Sequence, residues 1–325
     1  MVAAVQALVP CAECRAQVAA TVQAEGIAKA EEIYVADVDR KLKETFVRVE
    51  RISKEALPRF QALALGQLVD QLLVLQSLER DKLGASAEEI EAEFNQYKKS
   101  LLDKDGLAAN LRLQWHTEAS FRRYRIAWEK SWKRHLGRTI TPEAKQAYFD
   151  KHRRELDGTE LRVGHILFKP ADPAVPADFD ELTRKARQVR QQIADGKVSF
   201  EDAVVAHSGG TKKDGGDLGF VQRHKSMPEP FARAAFELAK GEISQPVAST
   251  FGVHLIRCTD ERAGKLTLDS DEVQEAVKLR LSQQIFEEVA ARERKKALAN
   301  GSKPGIQFTG QAPHFKPGTE ELVLP

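Results

Sequence analysis

The sequence predicts an α+β protein in which a helical domain is interrupted by an inserted domain of mixed strands and helices. Three observations carry this reading. Helical periodicity dominates residues 56–155, short branched and apolar runs appear between about 158 and 264, and a helical stripe returns after Asp269. The expected boundaries are 1–157 for the helical domain, 158–264 for the insertion, 265–300 for a closing helix that packs back on the helical domain, and 301–325 for a tail whose last residues, TGQAPHFKPGTEELVLP, read as mobile.

Taken in order, GQLVDQLLVLQSLERDKLG repeats apolar residues at Leu68, Leu72, Leu75 and Leu78 and stops at Gly84, which suits a C-cap. Ser86 with Glu89 forms a capping box for the next helix. Thr117 caps a third, and Thr141-Pro142 is a cap and first-turn pair for a fourth. In the insertion, LRVGHILF (161–168) reads as a buried strand, and DELTRKARQVRQQIADG and SFEDAVVAHS as helices. The glycine loop GGDLGF (215–220), the helix FARAAFELAKG and two strands, SQPVA and FGVHLIRCT, complete it. Beyond Asp269, Val273, Val277, Leu281, Ile285 and Val289 share one helix face. A lone amphipathic helix needs a partner, and the first helical region is the simplest one.

Composition removes several function classes. Lys and Arg total 50 against 48 Asp and Glu, so a net charge of +2 gives no overall field toward nucleic acid or a lipid surface. No apolar run reaches the roughly 18 residues of a spanning helix. The start, MVAAVQALVPCAECRAQ, has no basic n-region, and no signal peptide is evident. Cys11 and Cys14 have the spacing of half a zinc site or a redox pair, but no second pair matches them, and Cys258 sits in an apolar strand. No metal is expected. Residues 117–138 hold seven Arg or Lys beside Phe121, Tyr124, Trp128 and Trp132. Cations and rings fall on different faces, as in an ordinary amphipathic helix, so nucleic acid is not expected. The four rings read first as core, and alternatively as the lining of an apolar cradle.

Singly, His165 and His254 read as hydrogen-bonded core histidines. Their occurrence in order with RVGHILFK, GGDLGF, MPEPF, AFELAKGEISQPV and FGVHLIR changes that: residues 162–260 closely resemble a parvulin-type peptidyl-prolyl cis/trans isomerase. The resemblance implies a four-stranded antiparallel sheet flanked by helices, an isomerase activity and no cofactor. It implies that His165 and His254 stand together at the centre of the sheet with Ser249 bonded to one ring, as the catalytic group. Met227 and Phe231 would form the floor of a proline pocket that Leu218 also lines, with Gly215 and Gly216 turning the chain so that Leu218 reaches it.

The sequence departs from the family pattern in the loop before GGDLG. Many parvulins carry a Cys or Asp there, where this chain has Gly209 and Gly210, so turnover is expected to be low unless an adjacent group such as Asp217 or Asp214 compensates. The loop KPADPAVPADFD, with one Lys against three Asp, lacks the basic cluster of phosphate-directed parvulins. The helical parts are similar, more loosely, to the chaperone SurA and the foldase PrsA. IYVADVDRKL matches their opening segment and LVDQLLVLQSLERDKLGASAEEIEAEF the following helix pair. That resemblance implies unfolded or partly folded polypeptide clients and a place in the cell envelope or periplasm. The competing reading is a holdase whose parvulin domain only binds.

Overall fold

The computed structural model describes residues 17–45, 57–101, 106–114, 116–169, 176–208, 215–225, 227–249, 251–299 and 305–309. Cys11, Cys14, Gly209, Gly210, Asp214, residues 170–175 of the KPADPAVPADFD loop and the segment 310–325 lie outside the described residues. The chain forms two compact units, one of residues up to Thr141 together with those from Ser282 onward, the other Pro142–Leu281. Residues 142–157 and 265–281 thus group with the inserted unit.

In the first unit, β1 (Val18–Val22) pairs antiparallel with β2 (Glu31–Tyr34) on one side and β7 (Ile306–Phe308) on the other. The purely helical domain expected from the sequence therefore carries a three-stranded sheet. The tail expected from 301 is corrected too: Ala20 faces Phe308 across the ladder, and Thr309 donates its N–H to the Ala19 carbonyl at 3.1 Å. Ala19, Ala20, Val22 and Ile33 are fully buried against α1 (Val35–Thr45) and α2 (Leu57–Arg80). Small side chains let the helix approach the sheet closely, which is why an alanine-rich segment serves as a central strand here.

The predicted stripe Leu68, Leu72, Leu75 and Leu78 of α2 is buried. Gln76 interrupts it and is fully buried, accepting from Ala24 N–H at 2.7 Å and donating to the Val22 carbonyl at 3.2 Å, so it satisfies the backbone beyond β1. The helix ends earlier than Gly84 suggested. Lys82, at φ 58°, is the left-handed residue, and Leu83 N–H bonds the Leu78 carbonyl in a Schellman arrangement. Ser86 and Glu89 form the expected capping box of α3 (Ala87–Ser100). Beyond α4 (Gly106–Leu113), Thr117 caps α5 (Glu118–Ser120), which continues through a π-helical stretch, Phe121–Ala127, into α6 (Trp128–Thr139). Phe121 and Tyr124 are core residues, while Trp128 and Trp132 are half-buried. The two indoles stack at 5.4 Å and meet Phe286 edge-on at 5.7 and 5.9 Å. Phe286 belongs to α12 (Asp271–Ala299), whose later turns also join α2 through Arg294 to Asp70 and Arg80 to Glu293.

In the second unit, α7 (Pro142–Lys151) and α8 (Arg153–Leu156) lead into β3 (Glu160–Phe168). After α9 (Pro176–Ala194) and α10 (Phe200–His207) come β4 (Asp217–Gln222), α11 (Glu229–Glu237), β5 (Val247–Ser249) and β6 (Gly252–Arg262). The sheet is four-stranded, all antiparallel, in the order β4-β3-β6-β5. Alternation along β3 sends Leu161, Val163 and His165 to the α11 side and Ile166 and Phe168 to the side of α9 and α10. Each face has its own apolar cluster. The first turns of α12 belong here, with Val273 and Val277 buried against Phe149 and Leu156.

Candidate active site

β3 and β6 set the centre of the site. Leu167 faces His254 and His165 faces Ile256 in the ladder, which makes the two histidines diagonal neighbours on the α11 face. Their Nδ1 atoms lie 3.3 Å apart. Ser249 Oγ, at the end of β5, is 2.7 Å from His254 Nε2 and accepts from Phe251 N–H at 3.1 Å. Phe231 of α11 is fully buried and presents its ring edge-on to both imidazoles, with centroids 5.9 Å from His165 and 5.2 Å from His254. Leu218 and Met227, both half-buried, pack on the same cluster. All six residues singled out in the sequence thus converge on one face of one sheet.

Burial decides the charge of the pair. Desolvation, with a smaller contribution from His165, lowers the His254 pKa from 6.5 to about 4, and desolvation lowers that of His165. Both rings are neutral at pH 7. A contact between two Nδ1 atoms then requires one N–H and one lone pair. Either His254 donates from Nδ1 and accepts the Ser249 O–H hydrogen bond at Nε2, or His165 donates and His254 Nε2–H donates to Ser249 Oγ.

The glycine loop works by close approach and by a bulge. A Cβ on Gly216 would lie 2.4 Å from the His165 carbonyl oxygen, and Gly216 has φ 78°. Only glycine lets the chain reach the bond from His165 N–H to the Gly216 carbonyl at 2.9 Å. The β3–β4 register then slips between Arg162 and Gly164, with Gly219 at φ 71°. The extra residue places both Leu218 and Val221 in the cluster beneath Phe231, although three positions apart they would face opposite sides of a regular strand.

Asp217 does not fill the position left by Gly209 and Gly210. Its carboxylate takes Arg162 Nε at 3.0 Å and Nη2 at 2.7 Å, and accepts from Gly219 N–H. Arg162 alternates with Leu161 and Val163, so this pair lies on the other face of the sheet from the histidines. Arg223, a residue without a signal in the sequence, is buried below the loop that leads to Met227. It bonds Glu229 at 2.6 and 2.7 Å and Glu155 at 3.0 Å, fixing the start of α11 and hence Phe231. Arg154 donates to the carbonyls of Phe236 and Leu238, closing the other end of that helix. Among the described residues no group of three or more His, Cys, Asp or Glu is placed to hold a metal ion. A cavity of about 670 Å³ beside α11 and β5, lined by Arg190, Pro230, Ala234 and Val247, touches none of the six site residues.

This sheet, with its paired histidines and apolar floor, defines the class. Residues 165–260 match the family model of the PPIC-type PPIASE domain, the rotamase family, and this part of the chain is a domain of that family. Among individual relatives, foldase protein PrsA 1 of Bacillus cereus is 36% identical over 143 residues, 43% of this chain and 44% of its own length. Chaperone SurA of Alkalilimnicola ehrlichii is 33% identical over 126 residues, 38% of this chain and 28% of its own. The chain therefore spans less than half the length of these curated relatives. The crystal structure of the peptidylprolyl isomerase PrsA from Bacillus anthracis aligns over 72% of this chain and 97% of its own, at 23% identity and a TM-score of 0.40.

Proposed function

We propose that this chain is a parvulin-type peptidyl-prolyl cis/trans isomerase that assists the folding of polypeptide clients. The observation that supports it most is the buried, neutral His165–His254 pair set against an apolar floor of Phe231, Met227 and Leu218. An X-Pro bond turns slowly because amide resonance sets a barrier of roughly 18–20 kcal/mol. Nothing covalent has to break, so the site needs only to bind the twisted amide better than either planar form. Met227, Leu218 and Phe231 grip the pyrrolidine ring, and the adaptable thioether suits a ring that changes pucker. The histidines and Ser249 form a polar relay without net charge. It can shift its protons to follow a carbonyl that loses conjugation, and it does not trap the substrate as an ion pair would.

A protease-coupled assay on Xaa-Pro peptides tests this. Wild type should accelerate isomerisation, and His165→Ala and Met227→Ala should each lose at least about tenfold, equivalent to 1.4 kcal/mol of transition-state binding. No acceleration, or no loss in either variant, overturns the enzymatic reading. Ser-Pro and phospho-Ser-Pro peptides should turn over alike.

The reading assigns isomerisation to 158–264 and client binding to 1–157 with 265–300, in a cell-envelope setting suggested by the relatives named PrsA and SurA. Neither nucleic acid nor a membrane span belongs to it, and no helix among the described residues is long and apolar enough to cross a membrane. Gly209 and Gly210 favour the second reading, a holdase that binds without turnover. Full suppression of client aggregation by a His165→Ala, His254→Ala double variant, together with an inactive wild type, would select it.

A further inference from the structure

We infer that the first unit carries a binding site for a polypeptide carboxylate, centred on the guanidinium of Arg40. This rests on the reading of that unit as the client-binding part and gives it a chemical preference. A cavity of about 500 Å³ opens between α1, α2, the segment that follows α4 and the π-helical stretch with the start of α6, and Arg40, Lys41, His116, Tyr124, Arg125 and Trp128 are among its walls. Arg40 is buried, with 4% of its surface exposed, and its Nη1 donates to Glu44 at 2.8 Å. Nε stands 3.9 Å from Asp37, beyond hydrogen-bond reach, and among the described residues neither Nε nor Nη2 has a hydrogen-bond partner. Buried donors of an always-charged group are rarely left unsatisfied, and the free Nη2 edge is one that a planar anion completes.

The other walls say which anion. Lys41 and Arg125 add positive charge, which Glu44 and Glu129, also at the cavity, and Asp37 offset in part. His116 contributes none. Its pKa is lowered to about 4 by burial and by the neighbouring Arg40, and its Nδ1 is 3.1 Å from Ser120 Oγ. Tyr124, over whose ring the Arg40 guanidinium sits at 4.8 Å, and Trp128 supply an aromatic wall beside the cation. A ligand that offers a carboxylate next to an apolar side chain uses both surfaces. In a polypeptide that is either an acidic residue or the chain's C-terminus beside an apolar residue.

Fluorescence polarisation of labelled peptides with the full chain distinguishes the sources. The probes are one peptide ending in Ala-Phe with a free C-terminal carboxylate, the same peptide amidated, and an amidated peptide with an internal Glu-Phe. The free acid or the Glu-Phe peptide should bind at least about tenfold more tightly than the plain amide, the factor expected when one charge-assisted bond is lost. The tighter of the two names the source. Arg40→Gln should abolish that preference. Because Arg40 is buried and its replacement could unfold the unit, Arg125→Gln on the exposed rim serves as a second variant and should reduce the preference two- to fivefold. Equal binding of acid and amide, or an acid preference untouched in both variants, overturns the carboxylate site. If the same samples still suppress aggregation of an unfolded client, client binding survives that failure. If they do not, both readings fall.

Discussion

The second unit buries two polar centres within one fold and treats them in opposite ways. Among the described residues His165 and His254 meet no carboxylate, and burial strips their charge. Arg223 is equally buried but is held by Glu155 and Glu229, and it keeps its charge. The difference is partner supply, not depth. A centre whose neighbours are rings and a hydroxyl becomes a neutral relay suited to a substrate, whereas one ringed by carboxylates becomes a fastener for the helix that carries Phe231.

Acid should separate the two centres most strongly. His254 titrates at about 4 when folded and at 6.5 otherwise, so the unfolded chain takes up its proton first. Stability from this group is complete above pH 6.5, falls as the pH drops toward 4, and totals about 3 kcal/mol over that window. Denaturant titrations at several pH values should show that loss, and His254→Gln should remove this share of it. The Arg223 cluster responds lower down: Glu229 is held below its usual 4.5, chiefly by its bonds to Arg223, so its contribution is present at pH 5 and lost below 4.5.

Arg223→Met comes next. It removes the cation that bridges Glu155 and Glu229. The cost should be about 2 kcal/mol, below the range for a fully enclosed pair because the Glu229 side chain is 61% exposed. Thermal melts should show the deficit at pH 7 and its reduction near pH 4, when the carboxylates protonate. An unchanged melting temperature would show that Arg223 is not the fastener. The smallest effect is that of Ser249→Ala. Losing one hydrogen bond to a neutral ring should cost about 1 kcal/mol of stability, and isomerase activity should fall less than in His165→Ala.

The two sheets show what was legible in the sequence. β3 and β6 are runs of branched residues with turn signals at both ends, and GGDLGF, Met227, Phe231 and His254, occurring in order, carried the family resemblance from which the expected site residues were taken. β1 was not legible, because VAATV is short and alanine-rich, and its second partner comes from the far end of the chain. The left-handed Lys82 gave no signal either, since glycine two positions on offered a better one. Arg223 and Arg40 were invisible for a common reason. An arginine reads as surface until the fold shows what encloses it. Gly216 stands between these cases: its turn was expected, but not that the carbonyl of a site histidine is the atom that excludes a Cβ.

The β1–β7 ladder has a consequence for timing. Ala19 and Thr309 bond across 290 positions of chain, so β1 waits for a strand synthesised long after it before its sheet is complete. Closing so long a loop is entropically slow. The inserted unit, whose strands all lie within Glu160–Arg262, has no such wait. A nascent or translocating chain would therefore hold a finished isomerase domain beside an incomplete first unit, and amide protection in β1 should be the last to appear during refolding.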